Sequence, residues 1–138
     1  MDFQKADDVK QAVAKIIKKL KLSHIKKGNI LCYRSLNSRS KAIARIWSLP
    51  RLWQDALNIS PYYIIEVLSE KFDRLNSQQK TKVLIHELLH IPKTFSGALL
   101  PHRTGTFRLD QRIVNKMYRE YKKKVKDKIA WGVTFEMS

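Results

Sequence analysis

Between Val83 and Pro92 the chain reads Val-Leu-Ile-His-Glu-Leu-Leu-His-Ile-Pro, an apolar run broken only by His86, Glu87 and His90. A helix apolar on most sides is a buried one, and polar groups taken into it cost several kcal/mol unless they find partners. Residues at i and i+4 share a helix face, so His86 and His90 can present two imidazoles to a single ion. Zinc takes such nitrogens at about 2.0–2.1 Å, and a catalytic site pairs three protein ligands with one open water position. Glu87 follows the first histidine and is expected to accept a proton from the water that zinc activates. Two core histidines bonded to carbonyls, with Glu87 in a salt bridge, would be the purely structural alternative. A single ion explains all three residues at once.

The neighbouring residues set limits on this helix. Asn76 with Gln79 approximates a capping box at its start. Pro92 disfavours helical geometry at Ile91, so the helix is expected to run to about His90. Lys93 to Leu100 then turn the chain back, with Gly97 supplying the freedom a tight reversal needs. His102 stands just beyond that return, with eleven residues between it and His90, where it can close the site from another direction. Its rival as third ligand is Glu120, a carboxylate on the last helix, which is more easily solvated. Asp110 is expected to cap that last helix or to orient a histidine.

The residues His86-Glu87-Leu88-Leu89-His90-Ile91-Pro92, then Phe95-Ser96-Gly97 and Pro101-His102, resemble the phage and archaeal metallopeptidase family, a small single-domain branch of the zincin-like proteases. The likeness extends upstream through Arg39 to Pro50 and Tyr62 to Val67, and so covers most of the chain. The resemblance implies His86, His90 and His102 as ligands of one zinc ion, with Glu87 as catalytic base and acid. It also implies a protein or peptide substrate.

The rest of the chain predicts an α+β fold. Val9, Ala12, Val13, Ile16, Ile17 and Leu20 make one apolar stripe of an N-terminal helix, which Asp7 or Asp8 can cap, with Lys10, Lys15, Lys18 and Lys19 on the other face. Strands are expected over Ile30 to Arg34, Ala42 to Trp47 and Tyr62 to Leu68, and a short helix over Arg51 to Leu57 with Trp53 in the core. Arg45 is expected to snorkel to water, and Glu66 to face solvent. Leu109, Ile113, Met117, Tyr121 and Val125 recur every four residues along a long C-terminal helix, and Ile129 to Ser138 returns as a strand or packed tail. The expected architecture is a zincin-like single domain over residues 1–138. It has a small, mostly antiparallel sheet packed against the N-terminal helix, the histidine-bearing helix and the C-terminal helix.

Charge is the second strong constraint. The chain carries 28 Lys and Arg against 12 acids, a net charge of +16, so acids are too few for dense ion-pair networks. The balance favours an encounter with a polyanion such as nucleic acid. The C-terminal helix is the expected contact, through Arg112, Lys116, Arg119, Lys122, Lys123, Lys124, Lys126 and Lys128. Cys32 is the sole cysteine, which excludes an intrachain disulfide and suits a reducing interior. The first residues lack a signal-peptide pattern, and no apolar run reaches membrane-spanning length, so a cytoplasmic protein is expected.

These observations point to a zinc-dependent metallopeptidase. Two alternatives remain at this level: a nucleic-acid-associated protease with a role like that of SprT-like proteases, and a basic nucleic-acid-binding protein with a structural or inactive zinc. A structural zinc needs four protein ligands, and Cys32 is remote in sequence from the three histidines.

Overall fold

The computed structural model describes residues 2–104, 107–125, 129–130 and 133–134. The chain opens with strand β1 (Asp2–Lys5) and helix α1 (Asp7–Lys19), then strands β2 (Ile30–Leu36) and β3 (Ala44–Ser48). Helix α2 (Arg51–Leu57) leads to strand β4 (Tyr63–Leu68), the short helix α3 (Ser69–Phe72) and helix α4 (Ser77–Leu88). Strands β5 (Arg103–Thr104) and β6 (Phe107–Arg108) form a small ribbon before helix α5 (Gln111–Lys124), and β7 (Ile129–Ala130) pairs with β8 (Val133–Thr134). Lys126, Lys128, Trp131 and Phe135 lie outside the described residues.

The main sheet has the order β1-β2-β4-β3. β1 is antiparallel to β2 and β3 antiparallel to β4, while the central pair β2 and β4 is parallel. The fold is therefore the expected α+β arrangement with a mostly antiparallel sheet. Its parallel pair explains why β2 and β4 are the most apolar strands: both are flanked on each edge. Cys32, Ile65 and Ile46 align across the sheet and face the helices, where they meet Val9, Val13 and Ile16 of α1 and Leu84, Ile85 and Leu88 of α4 in one core. Burial pushes the Cys32 thiol up to about 12, so it packs as an inert apolar side chain.

The residues of the next register row point the other way. Tyr33, Glu66 and Arg45 are aligned across β2, β4 and β3. Glu66 is only 2% exposed, against the expectation of a solvent-facing position. Arg45 does not simply snorkel: its Nε donates to Glu66 Oε1 at 2.8 Å, and Trp47 Nε1 donates to the same oxygen at 2.8 Å. Burial raises the Glu66 pKa, but the bonds from Arg45 and Trp47 outweigh it and leave the carboxyl below its ordinary value.

Three other expectations change for local reasons. The N-cap of α1 is Ala6, with no side-chain cap: Asp7 and Asp8 lie inside the first turn, and Asp8 pairs with Arg34 at 2.6 and 2.8 Å. Lys10 of the same helix donates to the carbonyls of Lys27 and Ile30 instead of pointing into solvent. Trp53 is 57% exposed rather than in the core, since α2 buries none of its residues.

Candidate metal centre

Helix α4 begins as its sequence requires. Asn76 accepts the Gln79 amide at 2.8 Å while Gln79 Oε1 accepts the Asn76 amide at 3.1 Å, so both arms of the capping box are made. The regular helix ends at Leu88, two residues short of His90. The chain nevertheless stays wound for part of another turn: the amides of His90 and Ile91 donate to the carbonyls of Glu87 and Leu88, both at 3.1 Å. These tighter i→i+3 bonds are a common way to finish a helix, and here they keep His90 beside His86. The two rings are 5.2 Å apart.

The segment from Ile91 to Pro101 brings the third histidine back. Phe95 takes a positive φ of 48° and Gly97 one of 92°. A bulky residue rarely holds the first conformation, and the surrounding structure must impose it. Phe95 is buried with its ring edge-on to Tyr63 at 5.1 Å. The Tyr63 hydroxyl accepts the Gly97 amide and donates to the Ala98 carbonyl, each at 2.9 Å. Gln54 adds a bond from its amide to the Ser96 carbonyl at 3.1 Å. Strand β4 and helix α2 thus hold the loop that delivers His102.

His102 arrives with its Nε2 only 3.2 Å from Nε2 of His86, and its ring lies 5.2 and 4.8 Å from those of His86 and His90. One donor nitrogen from each of the three lies within 4.8 Å of the others. Tetrahedral geometry at about 2.0–2.1 Å from a zinc ion places two ligand nitrogens roughly 3.3 Å apart, and the His86–His102 spacing matches that edge. The tautomer of His90 is also suitable. Its Nδ1 faces the Leu100 carbonyl at 2.5 Å, and a carbonyl can only accept, so Nδ1 carries the proton and Nε2 keeps a lone pair. The donor set therefore fits a divalent ion that favours imidazole. The fourth histidine, His24, stands outside the cluster and bonds to the backbone of Ile91.

The electrostatics agree with neutral imidazoles at His86 and His90. Burial, reinforced by the neighbouring His90 and His102, pulls the His86 pKa down to about 4. Burial also lowers that of His90. Glu87 is 7% exposed, and burial pushes its carboxyl up to about 7. Among the described residues no hydrogen bond satisfies that carboxylate. It opens instead into a cleft of about 520 Å³ that it lines together with His86.

One wall of the cleft is α4 and the other is the free edge of β3 with the residues that lead into it. Lys41 and Lys82 line it from these two walls, and Gln111 of α5 lines it as well. Neither lysine was singled out by sequence reasoning, although the position of Lys82 four residues before His86 was a usable signal. Tyr63 is fully buried and committed to the loop. Tyr118 sits beside the cleft, with its ring 5.3 Å from Lys82 Nζ. Asp110 caps α5, its Oδ1 accepting the amides of Arg112 and Ile113 at 3.1 and 3.2 Å. Glu120 is exposed on α5 and stands outside the histidine cluster.

The chain matches, over residues 1–129, the model of the family described as "Putative phage metallopeptidase". Neither the curated proteins nor the solved structures contain a match.

Proposed function

We propose that this chain, which belongs to the putative phage metallopeptidase family, is a zinc-dependent peptidase in which His86, His90 and His102 hold the ion and Glu87 is the general base and acid. The observation that carries the reading is the convergence of three imidazole nitrogens within 4.8 Å beside a buried carboxyl that faces a cleft. The ion, when bound, would supply Lewis acidity towards water and the scissile carbonyl. Glu87 accepts the proton of the attacking water and delivers it to the leaving amine. A carboxyl held near 7 is suited to both halves of that exchange, since a base and its conjugate acid are then both accessible at neutral pH. The apolar surroundings that raise its pKa also keep bulk water from competing for the proton. The hydrogen bond from His90 Nδ1 to Leu100 orients one ligand, and the anchored loop orients another.

Metal analysis with a peptidase assay tests the proposal. The wild type should carry about one zinc per chain, and His102→Ala should lose most of it. Glu87→Gln should keep the ion while losing at least about 100-fold in cleavage of a mixed peptide library. Failure to take up zinc after reconstitution, or an active Glu87→Gln protein, overturns the assignment.

A second reading concerns where such a peptidase works. Arg112, Lys116, Arg119, Lys122, Lys123 and Lys124 of α5 are all exposed, against the single acid Glu120. This surface favours contact with nucleic acid, and binding should weaken steeply as salt rises. Absence of binding to DNA or RNA at low salt removes that reading without touching the first. No helix among the described residues is long and apolar enough to cross a membrane.

A further inference from the structure

We propose that the cleft selects peptides with an acidic side chain about two residues from the scissile bond, and that Lys41 and Lys82 are the residues that recognise it. The inference rests on the peptidase reading above and names its substrate class.

The argument begins with the charges that line the cleft. Lys41 and Lys82 are its cations, and Glu87 is its sole acid among the described residues. The ion pairs of the described residues join Arg34 to Asp8 and Asp73, and Arg45 to Glu66. Neither cleft lysine takes part in one. The contact of Lys82 with Tyr118 is a cation–π contact, which holds the ammonium at the junction of α4 and α5 and leaves its N–H groups available. Lys41 is exposed on the facing wall, at the approach to β3. Two cations without carboxylate partners at one groove are a ready site for an incoming carboxylate, because bonds to ionised partners are the stronger ones.

The spacing sets where on the substrate that carboxylate belongs. Lys82 precedes His86 by four residues, which is one helical turn and about 6 Å along α4. An extended peptide advances about 3.3 Å per residue. A side chain that meets Lys82 therefore belongs to a residue roughly two positions from the bond held over the histidines. A lysine or arginine at that position would meet two like charges, and such juxtaposition excludes a wrong partner as effectively as attraction selects a right one.

The test uses zinc-loaded Glu87→Gln protein, so that binding is read without cleavage. Three fluorescent peptides share one sequence except for Asp, Asn or Lys two residues to either side of the central bond. Fluorescence anisotropy should show the Asp peptide binding about tenfold more tightly than the Asn peptide, with the Lys peptide weakest. Adding Lys41→Gln and Lys82→Gln should erase the order, and Lys41→Glu with Lys82→Glu should reverse it. Equal binding of the three peptides, no binding of any, or a preference that survives both double substitutions overturns the proposal. Wild-type cleavage of a mixed library separates this inference from its premise. Cleavage without acidic preference sinks the selectivity alone, whereas the predicted binding order without any cleavage sinks the peptidase reading alone.

Discussion

His90 and Leu100 hold each other by two hydrogen bonds: Nδ1–H of His90 donates to the Leu100 carbonyl at 2.5 Å, and the Leu100 amide donates to the His90 carbonyl at 2.7 Å. The pair closes the return loop at its base and fixes the tautomer of His90 in the same contact. His102 follows two residues later, and its carbonyl accepts the Leu109 amide at 2.7 Å, which ties the third histidine to the start of α5. The convergence of the three histidines is thus a property of the loop's anchorage as much as of the histidines.

Gly97 is the position at which that anchorage is most open to test. Its φ is +92°, and a Cβ placed there would overlap Gln54 Nε2 and lie 2.9 Å from the Leu49 carbonyl oxygen. Gly97→Ala should therefore destabilise the chain by about 1–3 kcal/mol through backbone strain and displacement of Gln54. It should also weaken zinc binding by roughly 10- to 100-fold, the usual cost of disturbing groups that orient a ligand. Urea unfolding and competition with a chelator measure the two effects, and unchanged zinc affinity would show that the loop does not position His102.

The Glu87 carboxyl makes a prediction about the metal-free protein. Its pKa is raised from 4.5 to about 7 by burial, so the folded state holds its proton more tightly than the unfolded chain. The associated stability is fully present below about pH 4.5 and is lost as pH rises through 7. The shift corresponds to a loss on the order of 3 kcal/mol for wild type. Metal-free Glu87→Gln should lack this component, and its stability relative to wild type should improve between pH 5 and 8 by an amount of roughly that order. Chemical denaturation in the presence of a chelator, repeated across that range, gives the comparison. Parallel pH profiles for the two proteins would contradict a buried, desolvated carboxyl.

Arg34 supplies a prediction on the acid side. It bridges Asp8 of α1 and Asp73 beyond α3, at 2.6 and 2.8 Å. Its hydrogen bond to Asp8 holds that carboxyl below its ordinary value. At Asp73 burial acts in the raising direction, and the bonds from Arg34 and Ser69 overcome it. Both are depressed carboxyls, so their contribution is present above the unfolded value of 3.8 and disappears as pH falls through the folded values. Arg34→Met should cost about 2 kcal/mol at pH 7, a figure reduced from that of fully buried pairs because these groups are partly solvated. The gap between variant and wild type should narrow below about pH 4. A gap independent of pH would assign the loss to packing alone.

The sequence was most informative where one physical rule acted locally. The two histidines at i and i+4, the Asn76–Gln79 capping box and the Asp110 cap are local patterns, and each is formed. Strands β2 and β4 were legible from their β-branched and aromatic runs. What escaped depends on contacts distant in sequence. β1 has a single apolar residue, Phe3, and exists because β2 offers it a partner edge. Glu66 looked solvent-facing because alternation alone cannot show that Arg45 and Trp47 converge on it from the neighbouring strand. Trp53 looked like core because aromatic residues usually are, yet α2 buries none of its residues. The Leu100 carbonyl that orients His90 had no signature at all, since every residue carries a carbonyl.

The three histidines lie within a stretch of 17 residues, from His86 to His102. An ion bound to all three would therefore act as a cross-link that is short in sequence, and closing so short a loop removes little entropy from the rest of an unfolded chain. The same short stretch can also chelate a metal before the fold is complete, and any affinity for the unfolded chain subtracts from the stabilisation that binding confers. For this protein, zinc affinity and resistance to unfolding would then be separable quantities: an ion would secure the local reversal around His90 and Leu100, while the sheet, α1 and α4 are held by their shared apolar core.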